Sequence, residues 1–289
     1  MWGQSHCLWN HHWRWHARHA LVTAEGGFFA AAVIYLFCWA VMIAAGLLLL
    51  EVHLWCGKGS NLMTMSRTFL GPLGGWIAAG LYLFLFYTLC IAYNAGGGGL
   101  IADLFGLPPL LGTALFTGTL FCFLAAGVGA VDGLNRWLML LLFITYGIFV
   151  VWGISYVQLS RLIEGNPTQA YVALPVIFTT FSFQGTIPTL ADYLDGDVVK
   201  TRQSIIWGTT IALVTYLLWQ LLILGIAPKA GAGGLLEALA EGKTAIYALE
   251  QAVGSGAIAA LGTLFALSAM ATSYLGVNLG LIDFIRDSL

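Results

Sequence analysis

Apolar residues occupy long uninterrupted stretches of this chain, and the charged residues fall in clumps between them. Turn-forming residues such as Gly57–Ser60 and Gly165–Pro167 stand at the same boundaries. About 20 apolar residues carry an α-helix across roughly 30 Å of hydrocarbon, and each stretch is at least that long. The pattern predicts seven membrane-spanning helices, at about residues 28–50, 72–97, 109–131, 137–158, 172–191, 204–227 and 256–282.

The composition supports a membrane protein and excludes a water-soluble enzyme. Of the 289 residues, 60% are hydrophobic and 8% are charged, whereas about 25% of the residues in a soluble domain are charged. The mean hydropathy is +0.88, and the net charge of −2 provides no basic surface for nucleic acid. We therefore expect an all-α integral membrane protein in a lipid bilayer, with no nucleic-acid partner.

The residues that carry most enzyme chemistry are scarce beyond residue 20. The five cysteines lack the CxxC spacing of zinc and redox sites. His53 is the one histidine after residue 20, so no Ser-His-Asp or Cys-His set is assembled from the body of the chain. We expect no catalytic residue, no bound metal and no cofactor.

Lysine and arginine in the connecting loops predict the orientation of the chain. Cytoplasmic loops of membrane proteins carry an excess of these residues. One side of an alternating topology holds Lys58, Arg67, Arg136, Lys200, Arg202 and Arg286. The other side holds Arg161, Lys229 and Lys243, so the first side is predicted to be cytoplasmic.

Residues 1–20 differ from the rest of the chain and are treated as a separate, anomalous segment. They contain five of the six histidines and four of the eleven tryptophans, and they form neither the apolar centre of a signal peptide nor a membrane span. A tryptophan codon, TGG, read one base later always gives glycine. Positions 9 to 20 in that shifted frame allow G-T-T-I-G-A-G-M-L-A-M-P. We hypothesise a frameshift here, and codons that do not permit this shifted reading would disprove it.

From Leu21 onward the chain resembles the hydroxy/aromatic amino acid permeases, most closely the bacterial tyrosine-specific permeases. The motifs that carry the resemblance are TAEGGF at 23–28, GLLLLEV at 46–52, LPVIFTTFSFQGTIP at 174–188, YLDGD at 193–197 and ATSYLGVNLGLID at 271–283. The shifted G-T-T-I-G-A-G segment is similar to the first-helix signature of the same family. The resemblance therefore covers residues 21–289 and includes the anomalous segment in its shifted form.

The resemblance implies a fold and a function. Its family is similar to the leucine transporter, with about eleven spans built around two inverted repeats. This chain is then expected to hold an incomplete bundle of that type, with the first span scrambled and the last three absent. The implied function is proton symport of an aromatic amino acid, tyrosine or tryptophan, in the bacterial inner membrane. The alternative is a non-transporting membrane fragment of such a permease, and we expect no specific uptake by the chain as written.

The segment 172–191 carries a pattern typical of an interrupted helix. Pro175 and Pro188 lack amide hydrogens, and Gly185 tolerates unusual backbone angles. We predict two half-helices with the interruption between about Phe181 and Gly185. On the family resemblance, the predicted substrate-binding residues of this segment are Thr180, Phe181, Ser182, Phe183, Gln184 and Gly185. The alternative is a proline-kinked helix whose hydroxyls bond its own backbone.

Three further residues are predicted to close the site from other spans. Tyr87 lies in the middle of the 72–97 span, where its hydroxyl needs a partner. Thr272 and Ser273 lie in a glycine-rich part of the last span, which also suits close helix packing. Glu51 and Asp192, at span ends, are the candidates for proton coupling, although charges there are more often simply solvated.

Overall fold

The computed structural model describes residues 23–288 apart from Gly242 and Thr244, and it omits the side chains of Ala259, Asp283 and residues 286–288. The anomalous segment 1–20 lies outside the described residues, so its prediction stays a hypothesis. We number the helices α1 to α11 along the chain. They are α1 Phe28–Cys56, α2 Leu62–Phe105, α3 Pro109–Ala126, α4 Val128–Gly153, α5 Leu159–Ile163, α6 Leu174–Thr180, α7 Ile187–Tyr193, α8 Val198–Ile226, α9 Leu235–Glu241, α10 Ala245–Val253 and α11 Gly256–Ser288.

Seven segments of the described chain are long and apolar enough to span a membrane. Each overlaps one of the predicted stretches, and five of them lie in the single helices α1, α2, α3, α8 and α11. A sixth combines α4 with the short 3-10 helix Ile154–Tyr156, and the seventh, Pro167–Tyr193, combines a 3-10 helix with α6 and α7. The predicted all-α membrane fold is confirmed.

Helix α2 is longer than the predicted span because it begins ten residues earlier, at Leu62. The Asn61 side chain caps its start by accepting a hydrogen bond from the Thr64 amide at 2.8 Å. Gly71, with φ of 74°, breaks the helical path just before Pro72. Residues 62–70 therefore form a helical segment that meets the membrane span at a kink.

The helices pack as two groups, and few residues of one group contact the other. Helix α1 packs along α8 and carries both α6 and α7, whereas α2, α3, α4 and α11 pack against one another. Gly97 and Gly98 make the close approach of α2 to α3 possible, since a methyl group on Gly98 would lie 2.5 Å from the Thr113 Cα. The glycine run 96–99 therefore serves helix packing, as its lack of a nucleotide-binding Lys-Ser/Thr ending indicates.

We predict that Gly98→Ala destabilises the protein while Gly99→Ala does not. The added methyl group at position 98 collides with backbone atoms of α3, and overpacking of this kind costs about 1–3 kcal/mol. A methyl group at position 99 has no atom within 4 Å. Thermal unfolding of the two purified variants in one detergent checks this, and equal midpoints would contradict the close packing of α2 on α3.

Candidate functional site

The predicted interruption of the 172–191 segment is confirmed. Helix α6 ends at Thr180, residues Gln184–Thr186 form a 3-10 turn, and α7 resumes at Ile187. The amides of Phe181 and Ser182 bond only three residues back, at 3.3 Å in each case. Both prolines lie in the first turn of a half-helix, where a missing amide hydrogen costs nothing.

Threonine hydroxyls on both sides of the break bond to the backbone of their own segment. Thr179 and Thr180 both donate to the Val176 carbonyl, at 2.7 and 3.1 Å, and Thr186 donates to the Phe183 carbonyl at 2.7 Å. The self-capping alternative is thus correct for these three hydroxyls. Ser182 and Gly185 are exposed, as are Thr179 and Thr186.

Partners from α1 and α8 satisfy further polar groups of the break. The Tyr216 hydroxyl on α8 donates to the Thr180 carbonyl at 3.4 Å. The Gln184 amide reaches α1, where it donates to the Met42 carbonyl at 3.4 Å. In hydrocarbon an unpaired backbone group costs several kcal/mol, so these two side-chain contacts stabilise the interruption.

The two aromatic side chains of the break pack against neighbouring helices. Phe181 is 3% exposed and makes edge-to-face contacts with Tyr35 and Tyr216, at centroid distances of 6.3 and 5.5 Å. Phe183 lies against Gly46 on α1, where an added methyl group would lie 2.8 Å from its ring. Both rings are held by the bundle, which fixes the conformation of the segment between them.

Tyr82, rather than Tyr87, lies at the interruption. The Tyr82 hydroxyl abuts Gly185, whereas Tyr87 is 66% exposed on the outside of α2. The helical period explains the difference, because Tyr82 and the buried Phe86 are four residues apart and share a face. Tyr87 comes one residue after Phe86, so its side chain lies about 100° around the helix from that face. Tyr87 therefore lies away from the break in this structure, and its part in closing the pocket stays a prediction.

Thr272 and Ser273 lie in α11, which packs on α2 and α4. The Thr272 hydroxyl donates to the Ala269 carbonyl of its own helix at 3.0 Å, and Ser273 is hydrogen-bonded to Tyr93 on α2. The Ser273 contact joins α11 to α2, whereas the Thr272 contact stays within α11, and both lie in the second group of helices. The structure gives them a part in packing, and their proposed contact with substrate stays a prediction.

The two candidates for proton coupling have different surroundings. Glu51 is exposed on α1. Asp192, at the end of α7, faces the buried His53 ring at 3.3 Å and accepts the Gly59 amide at 3.0 Å. Sequence reasoning noted His53 only as the single histidine beyond residue 20, since a contact across 139 residues leaves no local signal.

Within the described residues, no group of three His, Cys, Asp or Glu side chains is placed to hold a metal ion. The chemical resources of the interruption are therefore backbone carbonyls and amides, hydroxyls, one amide side chain and aromatic rings. Such groups bind and orient a zwitterion, and they offer no nucleophile with an adjacent base.

Comparison with known proteins places these features in a family. The model of the tryptophan/tyrosine permease family matches residues 19–289. The tyrosine-specific transport system 1 of Haemophilus influenzae is 33% identical over 278 residues, which cover 93% of this chain and 68% of that protein. A tryptophan-specific transport protein of Pseudomonas aeruginosa is 32% identical over 273 residues, covering 89% of this chain and 64% of that protein. The chain thus spans about two thirds of these relatives, and the resemblance seen in its motifs is confirmed.

We predict that Gly185→Ala destabilises the protein by about 1–3 kcal/mol, because the new methyl group collides with the Tyr82 hydroxyl. Tyr82→Phe removes that oxygen, so the double variant should recover part of the loss. Unfolding of the two single variants and the double variant measures the coupling, which is about 0.5–3 kcal/mol for residues in contact. Additive losses would contradict the contact between α2 and the interruption.

Proposed function

We propose that this chain, which belongs to the tryptophan/tyrosine permease family, provides the substrate site of a transporter that carries tyrosine or tryptophan across the membrane together with protons. The family and its relatives are transport proteins and not enzymes. Bacterial relatives and seven apolar helices make the chain a multi-pass protein of the bacterial inner membrane. The observation that carries the proposal is the interrupted span, in a family whose relatives are named for these two amino acids.

The interruption provides the groups that an amino acid backbone needs. Carbonyl groups released where a helix unwinds accept hydrogen bonds from an ammonium group, and half-helix amino termini attract a carboxylate. Ser182 and Gly185 form the exposed face of the break, and the Tyr82 hydroxyl lies beside it. We assign this face to the polar end of the substrate, with Thr180, Gln184, Thr272 and Ser273 as further proposed contacts.

Aromatic selectivity is proposed to arise from Phe181 and Phe183. Phe181 is buried between Tyr35 and Tyr216, so we propose that the substrate ring inserts beside this aromatic cluster and meets an edge that is already fixed. An aromatic pair adds about 0.5–1.5 kcal/mol beyond the area that it buries. That energy corresponds to roughly a 2- to 13-fold preference for an aromatic over an aliphatic side chain.

Uptake of labelled tyrosine, tryptophan and leucine tests the function. Vesicles hold this chain either alone or extended by the intact first helix and the C-terminal spans that the family resemblance implies. We expect the extended protein to take up the two aromatic amino acids in preference to leucine, with stimulation by an inward proton gradient. Equal uptake of leucine would contradict the assignment of substrate, and uptake indifferent to the gradient would contradict proton coupling.

Phe181→Leu should lower the preference for tyrosine over leucine by roughly 2- to 13-fold, because it removes the aromatic edge and keeps a similar volume. Phe84→Leu is the matched control, since Phe84 is exposed on the outside of α2. Competition between the two labelled substrates at matched membrane expression measures the preference. An unchanged ratio in Phe181→Leu, or an equal drop in both variants, would contradict the role of Phe181.

A further inference from the structure

A second polar cluster lies where α1 ends and α7 meets the loop between α1 and α2. Its centre is His53, which is 2% exposed in the last turn of α1. Around it lie Ser60 and Gly59 from the loop and Asp192 from α7. Gly59 has φ of 82°, a left-handed angle that favours glycine and turns its amide towards the Asp192 carboxylate. The cluster is separate from the residues assigned to the substrate.

Both ring nitrogens of His53 have partners. Nδ1 lies 2.9 Å from the Ser60 hydroxyl and 3.1 Å from the Ser60 carbonyl oxygen, and Nε2 lies 3.3 Å from Asp192 Oδ1. A carbonyl oxygen and an ionised carboxylate only accept hydrogen bonds, whereas a hydroxyl both donates and accepts. The ring thus lies between the Asp192 carboxylate, which accepts at Nε2, and Ser60, which can donate to Nδ1 or accept from it.

This arrangement satisfies the ring in both of its protonation states. When neutral, His53 donates from Nε2 to Asp192 and accepts the Ser60 hydroxyl at Nδ1. When protonated, it still donates to Asp192, and Nδ1 donates to the Ser60 carbonyl after the hydroxyl rotates. A proton therefore enters or leaves Nδ1 with the rotation of one hydroxyl, and the carboxylate offsets the cost of a buried positive charge.

Lys58 is the nearest cation to this cluster. Its ammonium lies 3.0 Å from Asp195, and this hydrogen bond, together with a smaller attraction to Asp192, raises the pKa of Lys58. Asp197 accepts the Lys200 amide at the start of α8, which lowers the pKa of Asp197.

The remaining charges on the packed elements point away from the ring. Glu51, Arg67 and Arg202 are exposed on α1, α2 and α8. Among the described residues, Asp192 is thus the one charged side chain recorded in contact with His53.

We propose that the His53–Asp192 pair binds a transported proton and in doing so holds α7 against α1. Asp192 lies in the last turn of α7, whose other end joins the interruption. Protonated His53 attracts the carboxylate more strongly than the neutral ring does. Falling pH then favours the docked position of α7, and rising pH favours its release. This inference rests on the proposed function, because it names the proton-binding group of that transport.

Histidine NMR on the chain in lipid nanodiscs tests the proton site without requiring uptake. His53→Gln identifies the His53 signal among the six histidines. We expect this signal to respond to pH, and Asp192→Asn to alter the midpoint of that response, because it removes the carboxylate that faces Nε2. Asp132→Asn is the matched control, since it removes an exposed carboxylate that pairs with Arg136 on α4, and it should leave the midpoint unchanged.

Hydrogen exchange of the backbone amides in α7 tests the docking. The quantity compared is the ratio of amide protection in the unmodified chain to that in His53→Gln at the same pH. We expect this ratio to rise at least threefold from pH 8 to pH 5.5. A purely structural histidine would give a ratio independent of pH. A midpoint insensitive to Asp192→Asn, or a constant protection ratio, would overturn the proposal.

Uptake separates this proposal from the proposed function. In the extended protein, His53→Gln should keep the exchange of labelled for unlabelled tyrosine. It should lose the stimulation of net tyrosine uptake by an inward proton gradient. Stimulation that survives in His53→Gln would overturn the role of His53 alone. Absence of tyrosine exchange in both proteins would contradict the proposed function, while the titration still decides the proton site.

Discussion

Backbone polar groups within a membrane need partners, because hydrocarbon offers none. A continuous helix meets this requirement internally, but the break between Thr180 and Ile187 does not. The surrounding structure supplies one missing partner, since Tyr216 on α8 bonds the Thr180 carbonyl. Gln184 pairs its own side-chain amide with the Met42 carbonyl of α1. These polar contacts accompany the apolar packing of α1 and α8 around the half-helices, and Ser182 and Gly185 are exposed.

The sequence predicted the spans and the break because both depend on local composition. Long apolar stretches specify spans, and Pro175, Pro188 and Gly185 limit where a helix continues. The rotation of a helix about its axis is a different matter. Helix α2 has apolar residues on all sides, so its pattern did not distinguish the inward-facing Tyr82 from the outward-facing Tyr87.

Contacts between residues far apart in the chain could not be predicted from the sequence either. The pairing of Ser273 with Tyr93, and of His53 with Asp192, depends on how helices meet across the bundle. A lone histidine near a span end gives no sign of its partner. In the structure the same seven-residue helix, α7, joins the interruption at one end and His53 at the other. A rigid element shared by two sites is a physical route by which proton binding and substrate binding influence each other.

Binding of an aromatic amino acid at the interruption can be measured by photolabelling. Membranes that hold the extended protein are labelled with a radioactive azido-phenylalanine, with excess unlabelled tyrosine as competitor. We expect the competed label on residues 181–186 and on Tyr82. If excess tyrosine displaces label only from helices remote from the break, binding at the interruption is contradicted.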